Sequence, residues 1–409
     1  MNTIAARLEQ KPFLTFVICT AVILTVSMGV RHTFGLFLPY LTEQNGWGRE
    51  VFAFAVGLQN LMWGVAQPFA GALGDRFGAH RVMLGGAVLY AVGLFGMAFS
   101  TTPLMLSLTC GVLIGIAHAC TTYSIAFGAL GRRVTPDKRS KFMGLISAAG
   151  SFGQFAMVPL GQIAISSLGT TTTLFILAAA VLLILPLSSG LREAPRAQTG
   201  SHQVAPQSTI SALREALGHR SFLLLVLGYF VCGFQVVFIG VHLPAYLRDG
   251  QLPSSVAPTA LALIGLFNIF GSYAVGLLGS VIPQKMILSS IYLLRSVVIV
   301  IFLAVPLSPL SVYVFSACMG VLWLSTVPPT NGIIARIFGV THFSMLSGVA
   351  FFSHQIGSFL GVWLGGYWYD RAGNYGPVWD FIVLAGLVAA VLHLPIREKP
   401  VVRTASAGA

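Results

Sequence analysis

The strongest constraint on this chain is a row of apolar stretches, each long enough to cross a lipid bilayer. The hydrocarbon core of a membrane takes about 20 helical residues. Runs of that kind are read near 13–41, 51–74, 82–100, 104–130, 142–166 and 172–190, and again near 222–247, 258–282, 286–305, 310–337, 343–370 and 378–394. Charged side chains make up only 8% of the 409 residues, against about 25% in a soluble domain. Lipid cannot satisfy a bare N–H or C=O, so spans of this length must be helices. The expectation is an all-α membrane protein of twelve transmembrane helices.

The formal net charge of +12 would point to nucleic acid in a soluble chain. Here its placement carries the meaning. With the N-terminus inside, eighteen of the 23 Lys and Arg fall on cytoplasmic segments, and only Arg49, Arg248 and Arg371 fall outside. That asymmetry places both termini in the cytoplasm, with a bacterial cytoplasmic (inner) membrane as the expected location and no nucleic-acid partner. The five cysteines, Cys19, Cys110, Cys120, Cys232 and Cys318, all lie in spans, so no disulfide framework is expected. The first apolar run is too long for a signal-peptide core and lacks a small-residue cleavage site.

Residues 191–219 form the one long polar stretch, rich in Gly, Ser, Pro and Gln, with a short amphipathic helix expected at 211–217. It divides the chain into an N-terminal six-helix bundle (1–190), a cytoplasmic linker (191–219) and a C-terminal six-helix bundle (220–409). The halves resemble each other. A shift of 204 residues superimposes Gly144 on Gly348, Gly153 on Gly357, Gly161 on Gly365 and Gly169 on Gly373. A shift of 205 superimposes Gly71 and Gly74 on Gly276 and Gly279. Parallel six-helix repeats place a substrate site at their interface near mid-membrane.

Between the second and third spans the chain reads Gly71-Ala-Leu-Gly-Asp-Arg-Phe-Gly-Ala-His-Arg81. This resembles the signature loop of the major facilitator superfamily, which implies that superfamily's fold. Gly71 and Gly74 suit close helix approach. Asp75, Arg76, Gly78 and Arg81 complete the motif, and the resemblance implies that Asp75 latches the outward-facing state with help from Arg132 or Arg133. The matching loop of the second half, 276–285, lacks the Asp-Arg pair.

A narrower resemblance rests on Gly29-Val-Arg-His-Thr-Phe-Gly-Leu-Phe-Leu38, Gly150-Ser-Phe-Gly-Gln154, Cys232-Gly-Phe-Gln235, Pro328-Pro-Thr-Asn331 and Ser353-His-Gln-Ile-Gly-Ser-Phe-Leu-Gly361. These are similar to the bacterial branch of the monocarboxylate transporter-like families. The resemblance implies transport of small carboxylates, with a proton or by exchange. Animal members carry an Asp and an Arg in the eighth helix where this chain has Asn268 and Ser272.

Arg31 and Arg295 are the two strongly charged residues read well inside spans; every acid lies at a helix end or in a loop. An intramembrane arginine is costly and marks a functional site by default. Two cations without a buried acid suit an anion, which a guanidinium grips through parallel hydrogen bonds. Arg31 is the first candidate ligand, and Arg295 the second, on a helix that is peripheral in the superfamily. Gln154, Asn268, Asn331 and Gln355 are further candidates to line the path, the alternative being bonds between helices. Pro328 and Pro329 are expected to break the tenth helix. Histidine is the natural proton-coupling group, with His354 first and His32 next.

The reading is therefore a secondary active transporter of a small organic anion, proton-coupled, working by alternating access. Its partners are that anion, protons and membrane lipid, without an obligate protein partner. The alternatives are an exporter of drugs or other hydrophobic solutes, an anion exchanger, and a non-transporting sensor. No zinc-protease or nucleotide-loop motif and no buried acid pair is found, so neither an enzyme nor a cofactor or metal site is expected.

Overall fold

The computed structural model describes residues 2–133, 136–192, 209–279, 281–339 and 343–401. Most of the expected linker (193–208) and the side chains of Asp75 and Arg132 lie outside the described residues. Among the described residues every regular element is helical. The order is α1 (Asn2–His32), α2 (Phe34–Asn45), α3 (Arg49–Phe77), α4 (Ala79–Ala98), α5 (Pro103–Leu106), α6 (Ile114–Thr121) and α7 (Tyr123–Arg133). Then come α8 (Pro136–Leu182), α9 (Ile184–Ser188), α10 (Thr209–Gly218), α11 (Arg220–Asp249), α12 (Val256–Leu278) and α13 (Gln284–Ala304). The chain continues with α14 (Pro309–Leu322), α15 (Val327–Phe338), α16 (Phe343–Ala372) and α17 (Gly376–His393).

Among the described residues, ten helical stretches are long and apolar enough to cross a membrane. Two places account for the difference from the twelve expected. The 29-residue α3 is a continuous helix outside those ten, its apolar content diluted by Gln59, Asn60, Gln67 and charged ends. The expected fifth and sixth spans run on as one stretch, Leu145–Leu191, bent at Gly169 (φ 80°, ψ 169°). Large apolar side chains such as Phe69, Leu104, Leu160 and Leu310 are exposed. In a bilayer they face hydrocarbon, where exposure costs nothing.

Four spans are interrupted, the sixth at Leu183 between α8 and α9. The first breaks at Thr33, between α1 and α2. The fourth passes through a π-helical turn at Ser107–Leu113 and breaks at Thr122. The tenth breaks over 323–326, between α14 and α15. Pro328 and Pro329 sit in the first turn of α15, where a missing N–H is tolerated. The break therefore falls just before the prolines, upstream of where the sequence placed it.

The internal repeat reappears as geometry. Gly169 and Gly373, 204 residues apart, both take positive φ. Gly46 and Gln251, 205 apart, do likewise. The breaks at Thr122 and Thr326 are again 204 apart. A Cβ on Gly153 would strike the Thr25 carbonyl on α1, and one on Gly357 would strike the Phe230 carbonyl on α11. Those two carbonyls are 205 residues apart. Finally, a Cβ on Gly35 would strike the carbonyl of Gly240, its own counterpart, and Arg248 pairs with its counterpart Glu43 at 2.8 Å. Equivalent positions touch only where a pseudo-twofold axis passes, so the axis runs between α2 and α11.

Gly153→Ala and Gly357→Ala are expected to lower the thermal midpoint of the solubilised protein, because each new methyl meets backbone at a cost of about 1–3 kcal/mol. Gly276→Ala meets open space and should leave the midpoint unchanged or raised. Thermal unfolding of the three purified variants is the check.

Candidate functional site

A small cavity of about 40 Å³ lies on the pseudo-axis, lined by Arg31 and His32 at the end of α1, Gly35 on α2, Asn60 on α3, Gly240 on α11 and Trp323 at the tenth-span break, among others. It has room for two or three waters, each needing roughly 10–15 Å³. Two of its polar residues are basic and none of its lining residues is acidic. Arg31 Nη2 donates to Asn60 Oδ1 at 2.6 Å, and its guanidinium lies 4.7 Å from the Trp63 ring centroid. Its Nε has no partner. Asn60 is itself fixed, its Nδ2 donating to Val56 O at 2.8 Å and its carbonyl accepting from Gln355 Nε2 at 3.0 Å.

Trp323 is 1% exposed, and its indole N–H also lacks a partner. The helix break brings this ring to the cavity. At that break the Leu322 carbonyl accepts from Arg295 Nε (3.1 Å) and Nη2 (2.6 Å), and the Trp323 carbonyl accepts from Arg295 Nη2. Arg295 Nη1 also reaches Cys232 Sγ and Gln235 Oε1, each at 3.4 Å. On the other side of the break, Leu324 N–H donates to Asn268 Oδ1 at 3.0 Å. Asn268 Nδ2 donates to Ser151 Oγ at 3.1 Å, tying α12 to α8. Arg295 and Asn268 thus satisfy the backbone groups that the break frees.

Of the residues singled out by sequence, Arg31 and His32 line the cavity, and the others do not. Gln154 Nε2 donates to Leu261 O at 3.0 Å, joining α8 to α12. Asn331 bonds within its own helix, to Val327 O. His354 Nδ1 donates to Gln355 Oε1 at 3.0 Å, one step behind Asn60. In the signature loop, Gly74 approaches Ile125 and Gly71 has open space beside it, while Arg76 and Arg81 are exposed. Sequence reading missed Asn60, Trp63 and Trp323. Asn60 and Trp63, with Gln67, share one face of α3 by helical spacing, a signal available in the sequence. Trp323 carried none.

The end of the bundle expected to face outward is sealed by contacts between the halves. Arg49 grips Asp249 with both terminal nitrogens (2.6 and 2.8 Å), donates to Tyr375 Oη (2.9 Å) and stacks on Tyr369. Burial works against its charge, but the bonds to Asp249 and Tyr375 outweigh this and hold its pKa above the ordinary arginine value. Asp370, on α16, caps the N-terminus of α3 by accepting from the N–H groups of Arg49 (2.9 Å) and Glu50 (2.8 Å). Glu50 accepts from Trp363 Nε1 at 3.1 Å and lies 3.4 Å from Arg371. Arg49, Arg248 and Arg371, the three cations left outside by the charge count, all belong to this seal. At the opposite end Gly71, Gly78, Gly276 and Gly348 have open space where a Cβ would stand.

A bundle of membrane-spanning helices related by a pseudo-twofold axis, with a cavity on that axis holding Arg31, His32, Gln59 and Asn60, defines a polytopic membrane transporter. The chain belongs to the Major Facilitator Superfamily, whose family model it matches over residues 20–361. It is 26% identical over 401 residues to the Uncharacterized MFS-type transporter YcxA of Bacillus subtilis, covering 94% of this chain and 95% of that one. It is 25% identical over 374 residues to Monocarboxylate transporter 11 of Mus musculus, covering 89% and 82%. The crystal structure of a D-xylose-proton symporter superposes with a TM-score of 0.74 at 14% identity, covering 95% of this chain and all of that one, a likeness of fold alone.

Arg295→Gln is expected to destabilise the protein by about 1–3 kcal/mol for each carbonyl left bare. Arg31→Gln, which removes one bond at a cavity wall, should change stability far less. Thermal midpoints of the two purified variants decide this.

Proposed function

We propose that this transporter carries a small organic anion of the monocarboxylate type, coupled to protons, by alternating access. The observation that carries the reading is Arg31, whose Nε lacks a partner in an acid-free cavity on the pseudo-axis. A carboxylate there would accept from the Arg31 guanidinium, whose planar fork makes arginine a carboxylate receptor. The unpartnered Trp323 N–H supplies a further donor. The cavity, about 40 Å³ in this state, has room for a carboxylate head. The likeness to Monocarboxylate transporter 11 supports the same substrate class.

In this reading the two six-helix halves, 1–190 and 220–409, rock about the fixed cavity, with both termini cytoplasmic. The contacts of Arg49, Asp249, Asp370 and Arg371 at the outer end support an inward-facing state. The Asp75 latch belongs to the opposite state. His32 at the cavity and His354 behind Asn60 are the groups assigned to proton coupling.

Arg31→Gln should lose most carboxylate affinity, and Arg31→Lys should keep part of it, since charge remains while the fork is lost. The cost of losing a charged hydrogen bond is roughly 1.5–3 kcal/mol, about ten- to a hundredfold in affinity. Titrations on monodisperse protein separate this from misfolding, and normal affinity in a folded Gln variant would remove Arg31 from the site.

Uptake into reconstituted vesicles should rise as outside pH falls, at fixed membrane potential and fixed substrate-anion concentration. Uptake indifferent to the proton gradient would replace symport with anion exchange.

A further inference from the structure

His242 lies on α11 beneath the outer seal and is 1% exposed. Both ring nitrogens are engaged. The Val362 carbonyl, 2.7 Å from Nε2, can only accept, so Nε2 carries the proton. Nδ1 is then the acceptor of the neutral ring, and the Tyr375 hydroxyl, 3.0 Å away, donates to it. The same hydroxyl oxygen accepts from Arg49 at 2.9 Å, and Arg49 holds Asp249. Hydrogen bonds therefore link the carboxylate that seals the halves, through Arg49 as donor to both sides and then the Tyr375 hydroxyl, to a buried imidazole.

The groups around the ring make it responsive. Phe238 packs on it from α11, and Gly365 of α16 leaves room for its edge. Tyr369 and Tyr246 flank Tyr375. The nearby carboxylates, Asp249 and Asp370, bond to Arg49, and the ring's own partners are Tyr375 and Val362. An outer vestibule of about 860 Å³ reaches Arg49, Asp249, Pro244 and Leu247, next to these bonds.

We propose that His242 is a proton-binding site whose protonation opens the outer seal. A proton on Nδ1 turns the acceptor into a second cationic donor aimed at Tyr375. The phenol oxygen then faces both His242 and Arg49, and its own hydrogen loses its acceptor. The closed seal is disfavoured, so by linkage the open state binds the proton more tightly. This deepens the proton-coupled reading by giving the proton a place at the outer gate.

The test uses hydrogen exchange without substrate. The amides of Arg49 and Glu50 donate to Asp370, so their exchange reports opening of the seal directly. In the wild type, the peptide covering 46–54 should exchange about tenfold faster near pH 5.5 than near pH 7.5, after correction for intrinsic rates. His242→Gln keeps a donor and an acceptor but cannot be charged, and should abolish that pH response. Tyr375→Phe, which cuts the link to Arg49, should abolish it too, and it decides the matter if the Gln variant fails to fold. A pH-indifferent wild type, or a full response in a folded His242→Gln or Tyr375→Phe protein, would overturn the proposal. Because no substrate is present, either of these results leaves the anion-carrier reading standing.

Discussion

The structure turns on how it repairs a broken helix inside the bundle. Between α14 and α15 the backbone leaves its ladder over 323–326, freeing carbonyls and an N–H inside the bundle. In hydrocarbon each such group costs several kcal/mol if left bare. Arg295 takes the carbonyls and Asn268 takes the N–H. Both side chains come from neighbouring helices, so the repair fixes the break and packs α12, α13 and α14 around it. The result is a rigid corner that holds Trp323 against the cavity containing Arg31. An arginine that looked like a ligand candidate on intramembrane charge alone is placed as a backbone partner, and the cavity cation is the half-buried one at the end of α1.

The membrane class, the helical fold and the half-chain repeat were legible because each is written in local composition or in a fixed offset. Glycines 204 or 205 residues apart recur in matched roles, from the positive φ of Gly169 and Gly373 to the close approaches of Gly153 and Gly357. The site was only partly legible. Arg31 and His32 stood out as polar residues in an apolar run, and both line the cavity. Gln154, Asn268, Asn331 and Gln355 stood out equally and bond to backbone or to other side chains. Sequence periodicity cannot tell a side chain facing a cavity from one facing a neighbouring carbonyl. Trp323 was invisible because its position depends on where the helix breaks, which the prolines marked only to within a few residues.

The outer seal was hidden for a different reason. Its ion pairs join residues 200 or more positions apart, and no local pattern announces such partners. The sequence nevertheless held a clue: three cations stood on the side where the charge rule leaves few. Charges against the orientation bias are candidates for specific contacts, and here all three make them. The seal is made of charge pairs and one helix cap supplied from another helix. Gly35 lets α2 approach the α11 backbone closely at Gly240.

The central claim is that the cavity is built for a carboxylate head. Titration calorimetry on the purified wild type, comparing short-chain carboxylates with their primary amides, tests it most directly, because each pair shares shape and differs in charge. The account predicts that carboxylates bind more tightly by about ten- to a hundredfold, the value of roughly 1.5–3 kcal/mol for a charge-assisted hydrogen bond. Equal affinity for acid and amide across the series would contradict it.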